Sequence, residues 1–516
     1  MPRNFIACNR EQAFLLPPSL LEWVPEDHLV WTILGAVDEL DLSGIYGAYR
    51  PDGHGRPAYE PQMMVALLLY SYSKGIQSSR EIERKCREDV AFMVIAALAA
   101  PDHSTIAEFR RRHERALAEL FTGVLGLCRK AGLVRVGLLA VDGMKLRANA
   151  SQHANRDYQR VVEELLAEAE RVDREEDERF GKDRRGDELP EQLRTPQGRQ
   201  AAFGQAKREL DAEQEEPPEE DPPSDDDEAG SGVELDLERL VNGPEGRRGW
   251  IRDARDQLEE HRAANPRPVP KSRRERLLVG RRRLEEEHQV LLDANAAYEA
   301  YRARGVMKDG RRFGRPPDPF VAPAVPEGSV NITDPDSRNL KCPRGYKQGY
   351  NAQAVVSEEQ VVIAAEINAD SPDFGHLEPM IGAARRQLRK IGIFHKPEVV
   401  VADAGYWHHE QMDQLAAQGI PLLIPPDAGK RKNARPGWDG GRYTWMRYLL
   451  ATENGHRLYR KRQVTVEPVF GQTVFNRKLT RFHRRGHAAV HSEWRLITAG
   501  HNLLKLHSHR IAPAAT

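Results

Sequence analysis

The chain has 516 residues, which allows roughly two to four domains with sizeable hydrophobic cores. Charged residues make up 30% of it, but the formal net charge is −1, so the total charge indicates neither a nucleic-acid nor a membrane partner. The cysteines show no CxxC spacing, and no stretch is apolar enough to span a membrane or act as a signal peptide. These features predict a reduced, cytoplasmic protein with no zinc site and no membrane partner.

Residues 1–135 are predicted to form an N-terminal all-helical domain. Pro61 opens an apolar segment that suits a buried helix, and Asp102 suits the cap of a later helix. One side of that later helix carries Arg110, Arg111 and Arg112. Short helices followed by a basic helix are compatible with a helix-turn-helix-like DNA-binding unit, but the sequence alone favours an ordinary bundle with solvated arginines. The sequence leaves both interpretations open.

The first strand of a catalytic domain is predicted within residues 136–150. The run VGLLAVD at 136–142 has the apolar composition of a strand buried on both faces. It ends in Asp142, which is followed by Gly143. A carboxylate in that position is a functional candidate, because ligands of α/β sheets bind at the strand ends.

Residues 151–327 differ in character from both neighbours and predict a charged, helical, coiled-coil-like insertion. Leucines or a tyrosine recur every seven residues at Leu277, Leu284, Leu291 and Tyr298. The segment at about 211–232 is too acidic and proline-rich to be buried, so we expect it to be disordered. A spacer, a dimerisation element and a shield for a basic DNA channel are all consistent with this pattern.

Residues 328–510 are predicted to complete the catalytic domain. Strand-like runs at 350–357 and 361–368 suggest a hairpin, and those at 399–402 and 421–425 each follow a helical segment. With the strand before Asp142, they predict three antiparallel strands and then two reached by helical crossovers. Asp403 ends the run at 399–402, where Gly405 lets the chain turn. For a lone Asp in this position, helix capping is the structural alternative.

A third carboxylate, Glu467, precedes Pro468, a residue suited to the first turn of a helix. Asp142, Asp403 and Glu467 therefore end or begin three regular elements. We predict that they form one site for two Mg²⁺ (or Mn²⁺) ions, since these hard cations prefer carboxylate oxygens. Asp334 and Asp336 are rival carboxylates and rank lower, because no strand holds them.

Cations and aromatic residues concentrate toward the C-terminus. From residue 441 to 516 there are 14 Lys and Arg against 3 Asp and Glu. Rings alternate with cations between 427 and 462, which suits stacked bases and neutralised phosphates, although a loop packed by its own rings is an equal alternative. The candidate DNA-contacting residues are Trp445, Tyr459, Arg462, Arg477, Lys478, Arg481, Arg484 and Arg485.

Five motifs occur in the order found in bacterial insertion-sequence transposases of the DDE class: AVDGMKLRANAS, NITDPDSRNLK, GYNAQAVV, VVADAGYW and TVEPVFGQ. The chain resembles this family over nearly its whole length. The resemblance implies a ribonuclease-H-like catalytic domain, in which Asp142, Asp403 and Glu467 match the family's three metal-binding carboxylates. It also implies an enzyme that cleaves and transfers DNA strands with Mg²⁺.

The resemblance further implies double-stranded DNA as the partner, at the element ends and at the target, and a homodimer or higher oligomer on that DNA. Two departures from the family pattern concern phosphate binding. Val474 stands where the family often has Lys, and Arg462 is one residue further from Glu467 than usual. Arg477 and Lys478 are candidate replacements. A DNA-binding regulator with a dead active site, and a ribonuclease-H-like nuclease that does not transpose, remain the alternatives.

Overall fold

The computed structural model of the chain describes residue 19 and residues 22–49, 58–180, 234–243, 246–342, 345–427 and 437–512. The acidic segment at about 211–232, predicted to be disordered, lies outside the described residues. The described part combines many helices with a mixed sheet, which confirms the α/β class expected from the sequence. None of its helices is both long and apolar enough to cross a membrane.

Helices fill the described chain before the first strand. Their bounds are Leu29–Asp38 (α1), Ser43–Tyr46 (α2), Pro61–Ser73 (α3), Ser79–Glu88 (α4), Val90–Ile95 (α5), His103–Arg112 (α6) and Glu114–Lys130 (α7). Pro61 begins α3 as predicted, because the first turn of a helix does not need its missing N–H. The Asp102 carboxylate accepts the backbone N–H groups of Ser104 and Thr105, which confirms the predicted cap of α6.

The strands form a large mixed sheet and a separate two-stranded antiparallel sheet. Their bounds are Leu138–Arg147 (β1), Asn155–Arg156 (β2), Val330–Asn331 (β3), Arg338–Cys342 (β4), Gly345–Ser357 (β5), Val362–Asn368 (β6), Val399–Ala402 (β7) and Leu422–Leu423 (β8). In the large sheet β6, β5 and β1 are antiparallel neighbours, and β7 and β8 continue parallel to β1. This is the strand order that the sequence predicted. β4 pairs with the first part of β5, and β2 pairs with β3.

The end of β1 differs from the prediction. The sequence placed Asp142 at the end of a strand, but β1 continues to Arg147 because it stays paired with β5, from Asp142 opposite Ala354 to Arg147 opposite Gly349. Only its pairing with β7 stops at Val141. Asp142 is therefore fixed on one side by a continuing strand and lies on the other side where the neighbouring strand has ended.

The described helices of the insertion are Tyr158–Phe180 (α8), Leu237–Asn242 (α9), Arg247–Ala264 (α10) and Arg273–Ala303 (α11). The heptad positions of α11 are all buried, at Leu277, Leu284, Leu291 and Tyr298. The sequence did not predict α10, which packs along α11 with Trp250 against Tyr298 at 5.6 Å between ring centroids. Arg338 of β4 donates to Glu259 at 2.9 Å and Glu287 at 2.7 Å, and so ties both helices to the sheet.

The remaining helices are Leu377–Lys390 (α12), His409–Ala417 (α13), Gly441–Ala451 (α14), Glu453–Thr465 (α15), Glu467–Gly471 (α16) and His487–Ile511 (α17). One hydrophobic core joins the helices before β1, the large sheet and α17. On α17, Trp494 is fully buried and donates its indole N–H to the carbonyl of Gln353 at 3.0 Å. This contact fixes β5 against α17 at Gln353, which pairs with Gly143 of β1.

Candidate functional site

Asp142 and Asp403 come from neighbouring parallel strands. Val141 pairs with Ala402, the last residue of β7, so the two aspartates follow side by side on strands about 4.8 Å apart. The chain turns after β7 because Asp403 Oδ1 accepts the N–H of Gly405 at 2.8 Å. Asp403 thus caps the short helical turn Ala404–Tyr406, whereas the helix that begins at His409, which the capping alternative concerned, is capped by His408. One oxygen serves the cap, so this role is compatible with a ligand at the other oxygen.

Glu467 reaches the same edge from the C-terminal part of the chain. Helix α15 ends at Thr465 and α16 begins at Glu467 itself. Arg462, in the last turn of α15, donates from Nη1 to Asp142 Oδ2 at 2.8 Å and from Nη2 to Glu467 Oε1 at 3.3 Å. A single guanidinium group therefore joins a carboxylate of the sheet to a carboxylate of the helix.

The electrostatics of this edge favour a bound positive charge. Burial raises the pKa of Asp142 to about 6, against the lowering effect of Arg462 and with an additional raising effect from the charge of Asp403. Burial likewise raises the pKa of Asp403. Burial opposes the charge of Arg462, but the surrounding carboxylates, Asp142 foremost, raise its pKa overall. Ionised aspartates at this edge thus depend on a nearby cation.

The donor atoms suit a hard divalent ion, because all three side chains offer carboxylate oxygens. Within the described residues, however, no three Asp, Glu, His or Cys side chains are arranged so that they could already hold a metal ion. The guanidinium of Arg462 donates to both Asp142 and Glu467 and occupies the space between them. A metal ion that uses both carboxylates requires Arg462 to leave at least one of them.

A cleft of about 360 Å³ opens beside Asp403. It is lined by Asp403, Ala404, Gly405, Pro425, Asp427, Tyr459, Arg460, Arg462 and Gln463. Tyr459, a predicted DNA-contacting residue, is therefore close to the carboxylates. The edge of the sheet forms one wall of the cleft and α15 forms another. Its lining includes charged side chains and the aromatic ring of Tyr459.

The rival carboxylates Asp334 and Asp336 hold structure together instead. Asp334 is completely buried and accepts the Tyr350 hydroxyl at 2.8 Å and the Gly486 N–H at 3.1 Å. Asp336 pairs with Arg283 of the insertion and accepts the N–H of His487 at 2.7 Å. Both aspartates therefore connect the insertion, the sheet and the start of α17, in line with their lower rank.

Three of the predicted DNA-contacting arginines are engaged inside the protein. Arg110 is 7% exposed and donates to the Tyr72 hydroxyl and the Gln77 carbonyl. Arg477 is 6% exposed and donates to the carbonyl of Ile497 and the hydroxyl of Thr473. These contacts engage both side chains within the fold, and composition does not distinguish a buried arginine from a solvated one.

Arg484 is the third predicted DNA-contacting arginine that is engaged inside the protein. Its side chain is 12% exposed, and Nη2 bonds Glu114 at the start of α7 at 2.6 Å. Its backbone N–H donates to the fully buried carboxylate of Glu493 at 3.0 Å. Arg484 thus joins the N-terminal helices to α17.

We expect Arg110→Ala to lower the free energy of unfolding by about 2–4 kcal/mol, because it leaves the Tyr72 hydroxyl and the Gln77 carbonyl without their partner and removes a counter-charge of Glu493. Arg111→Ala is the matched control: Arg111 is exposed and pairs with Glu108 on the same helix, so a cost of about 0.5 kcal/mol or less is expected. Denaturant unfolding measures both. If Arg110→Ala and Arg111→Ala unfold at the same denaturant concentration, and Arg110→Ala binds DNA more weakly, Arg110 contacts DNA.

The other predicted cations face solvent. Arg111, Arg112, Lys478, Arg481 and Arg485 are exposed, although Arg112 also lies over the Tyr49 ring at 4.9 Å. Sequence reasoning missed Arg147, which is exposed and forms a backbone bridge with Arg481. The adjacency arises from the extension of β1 beyond Asp142, which the apolar run did not reveal.

The aromatic residues divide between the two open interpretations. Tyr443 of α14 stacks on Trp438 at 4.6 Å and on Trp407 at 5.3 Å between ring centroids, so these rings pack against one another within the protein. Trp445 and Tyr448 are 59% and 62% exposed and stack only loosely on each other at 5.9 Å. Trp445 therefore stays a candidate for contact with DNA.

Arg477 and Lys478 follow the helix that begins at Glu467. Helix α16 ends at Gly471, and a π-helical turn follows over Gln472–Asn476. Lys478 then adopts a positive φ of 55°. Of the two candidates for the missing Lys at Val474, only Lys478 is exposed.

Comparison with known families identifies the class of protein. The model described as Transposase domain (DUF772) matches residues 18–112, and the model described as Transposase DDE domain matches residues 432–507, which include Arg462 and Glu467. Both matches are to transposase domains, which supports a transposase function for the chain. More particularly, the two matches support an insertion-sequence transposase of the DDE class and confirm the resemblance seen in its motifs. No curated protein and no solved structure matches the chain.

Proposed function

We propose that the chain is a transposase that cleaves and transfers DNA strands at the sheet edge, with Asp142, Asp403 and Glu467 as its catalytic carboxylates. The observation that supports the proposal most is that the Arg462 guanidinium bridges Asp142 and Glu467, which belong to distant parts of the chain. A site that hydrolyses phosphodiesters needs several carboxylates around a cation, because cations must stabilise the charge that develops on the phosphate oxygens. This edge has that composition.

Two Mg²⁺ or Mn²⁺ ions, when bound, supply Lewis acidity and lower the pKa of a coordinated water, the chemistry that phosphodiester hydrolysis requires. Asp142 and Asp403 would hold them from the sheet, and Glu467 from the first turn of α16. Arg462, once it leaves a carboxylate, has a planar guanidinium suited to a DNA phosphate. Tyr459 lines the same cleft and would contact the DNA end there.

The same proposal extends to the fold and the partner. The order β6, β5, β1, β7, β8 supports the proposal of a ribonuclease-H-like catalytic domain. Double-stranded DNA is the partner that a transposase acts on, and we propose a homodimer or higher oligomer on it, since two element ends each need an active site. The exposed Arg111 and Arg112 leave the helices before β1 as the candidate unit for reading the terminal repeats.

The experiment that tests the proposal uses the purified full chain and a DNA fragment that contains its coding region with the flanking sequence on both sides. In Mg²⁺ we expect breaks at two fixed positions and, with a target plasmid present, products joined to it. EDTA is expected to abolish both. Cuts at scattered positions without joining would instead support the nuclease alternative, and specific binding without any cut would support the dead regulator.

The DNA path is expected to follow exposed cations beyond Asp142. Arg147 lies five residues past Asp142 on β1, which is roughly 16 Å along the strand, and it adjoins Arg481. Arg485, which donates from Nε to the carbonyl of Asn149 at 3.0 Å, is close to the same strand end. We propose these cations, with Lys478, as contacts for the DNA backbone.

We expect the combined replacement of Lys478, Arg481 and Arg485 by Ala to make the negative slope of log affinity against log salt shallower by about two to three. The reason is that binding releases fewer counterions when phosphate contacts are lost. Specific and random DNA should be affected alike. The matched control replaces Arg386, Arg389 and Lys390, three exposed cations near the end of α12 that precedes the start of β7. Equal slopes for the two triple variants would move the DNA path elsewhere.

A further inference from the structure

A fourth carboxylate, Asp373, lies against the two turns that follow Asp142 and Asp403. A methyl group on Gly143 would lie 2.6 Å from Asp373 Oδ1, and one on Gly405 would lie 3.5 Å from Asp373 Oδ2. The second position would also lie 2.9 Å from Asp403 Oδ1. Asp373 Oδ2 and Asp403 Oδ1 are therefore at most about 6.4 Å apart, which is the sum of 3.5 and 2.9 Å.

Two side chains of β5 hold Asp373 in this position. Asn351 Nδ2 and Gln353 Nε2 both donate to Asp373 Oδ1, at 2.9 and 2.7 Å. Both amide residues are completely buried. Gln353 is fixed in turn, because its Oε1 accepts the hydroxyl of the buried Tyr406. Only Oδ1 of Asp373 takes hydrogen bonds from these amides, which leaves Oδ2 on the side of Gly405 and Asp403.

An independent feature points to a missing ligand at this place. Asn351 Oδ1 is buried without a hydrogen-bond partner among the described residues, and it would lie 2.9 Å from a methyl group on Gly143. Buried amide oxygens are rarely left without a donor. A water molecule of a hydrated divalent cation would be such a donor, since Mg²⁺ keeps several of its waters when it binds to proteins.

We propose that Asp373 is a fourth acidic ligand for the divalent cations of this site, held ready by Asn351 and Gln353. The proposal rests on the proposed function, because it concerns the same metal-binding edge. Oxygens that share one Mg²⁺ lie up to about 4.2 Å apart, and paired ions stand about 3.5–4 Å apart. The carboxylates of Asp373 and Asp403 are therefore close enough to reach one ion or two neighbouring ions after a small side-chain movement.

The geometry also explains two glycines. Any side chain at position 143 would collide with Asp373 Oδ1 and with Gln353 Nε2, which a methyl group would approach to 2.3 Å. Gly405 leaves the space between the carboxylates of Asp373 and Asp403 open. The charge of Asp373 also contributes, after burial, to the raised pKa values of both Asp142 and Asp403, as expected of a near neighbour.

The test is Mn²⁺ binding by the full chain without DNA, measured by calorimetry and by the electron paramagnetic resonance signal of free Mn²⁺. Asp373→Asn keeps an oxygen for the two amide hydrogen bonds and removes only the charge and Oδ2. We expect it to weaken Mn²⁺ binding at least tenfold or to remove one bound ion. The control is Asp370→Asn in the same loop, an exposed carboxylate paired with His376, which should bind Mn²⁺ within twofold of the wild type.

Asp142→Asn, measured in parallel, separates this proposal from the proposed function. Weaker Mn²⁺ binding by Asp142→Asn with unchanged binding by Asp373→Asn overturns the role of Asp373 alone. Unchanged binding by both variants overturns the metal site as a whole. Asp373→Ser, which is smaller and keeps one oxygen, answers the question if thermal melting shows that Asp373→Asn is unfolded.

Discussion

Asp142→Asn is expected to lower DNA strand cleavage by about 10³-fold or more while end binding stays within about threefold of the wild type. The amide keeps the size of the side chain and can still accept a hydrogen bond from Arg462. It removes the negative charge that a divalent cation needs. Because the cation acts on the reacting phosphate and the binding energy comes from the whole DNA surface, the loss should be confined to chemistry.

The variant should not be inactive through misfolding. Burial raises the pKa of Asp142 to about 6 from a usual value near 3.8, so above pH 6 the ionised side chain costs the folded state free energy that the unfolded chain does not pay. A neutral amide avoids this cost. The melting temperature of Asp142→Asn at pH 7.5 is therefore expected to equal or exceed that of the wild type.

The control for this measurement is Asp427→Asn. Asp427 lines the same cleft, but its carboxylate pairs with Arg447 at 2.8 Å. We expect this variant to cleave within about threefold of the wild type in the same gel assay. If Asp142→Asn loses end binding as strongly as it loses cleavage, Asp142 shapes the fold and is not a catalytic residue.

Much of the sheet followed from local patterns. The apolar runs before Asp142 and Asp403 could be assigned to strands because central strands of an α/β sheet are buried on both faces and show no alternation. The turn at Gly405 and the cap at Asp102 followed from the known hydrogen bonds of Asp side chains. Each of these predictions needed only residues that are close together in the sequence.

The features that local patterns did not reveal depend on residues far apart in the sequence. The length of β1 beyond Gly143 is set by its pairing with β5, and the burial of Arg110 and Arg477 is set by the packing of the helices around them. Asp373 was not singled out because it lies in a loop. Its position near Asp403 is set by hydrogen bonds from Asn351 and Gln353, which belong to a strand. A pattern of local periodicity contains none of these contacts.

Arg462 gives the second large prediction, because the same guanidinium both neutralises the carboxylates and competes with a metal ion for them. Its side chain is 15% exposed, and it contacts Asp142 more closely than Glu467. Without this cation, Asp142 and Glu467 repel each other and attract a divalent ion more strongly. Hydrogen bonds between charged groups contribute about 1.5–3 kcal/mol, so the competing contact is worth roughly one to two orders of magnitude in affinity.

We therefore expect Arg462→Gln to bind Mn²⁺ at least tenfold more tightly than the wild type in the absence of DNA, as measured by calorimetry. The same variant should cleave DNA more slowly, because the group proposed to contact a phosphate is lost. Lys461→Gln is the matched control: it removes one positive charge from the neighbouring residue of α15, which pairs with Glu358 and not with the three carboxylates. It should leave Mn²⁺ affinity within about twofold, since long-range charge effects are screened. Weaker Mn²⁺ binding by Arg462→Gln would mean that Arg462 supports the metal site, and that its contact with Asp142 and Glu467 persists when the ions are bound.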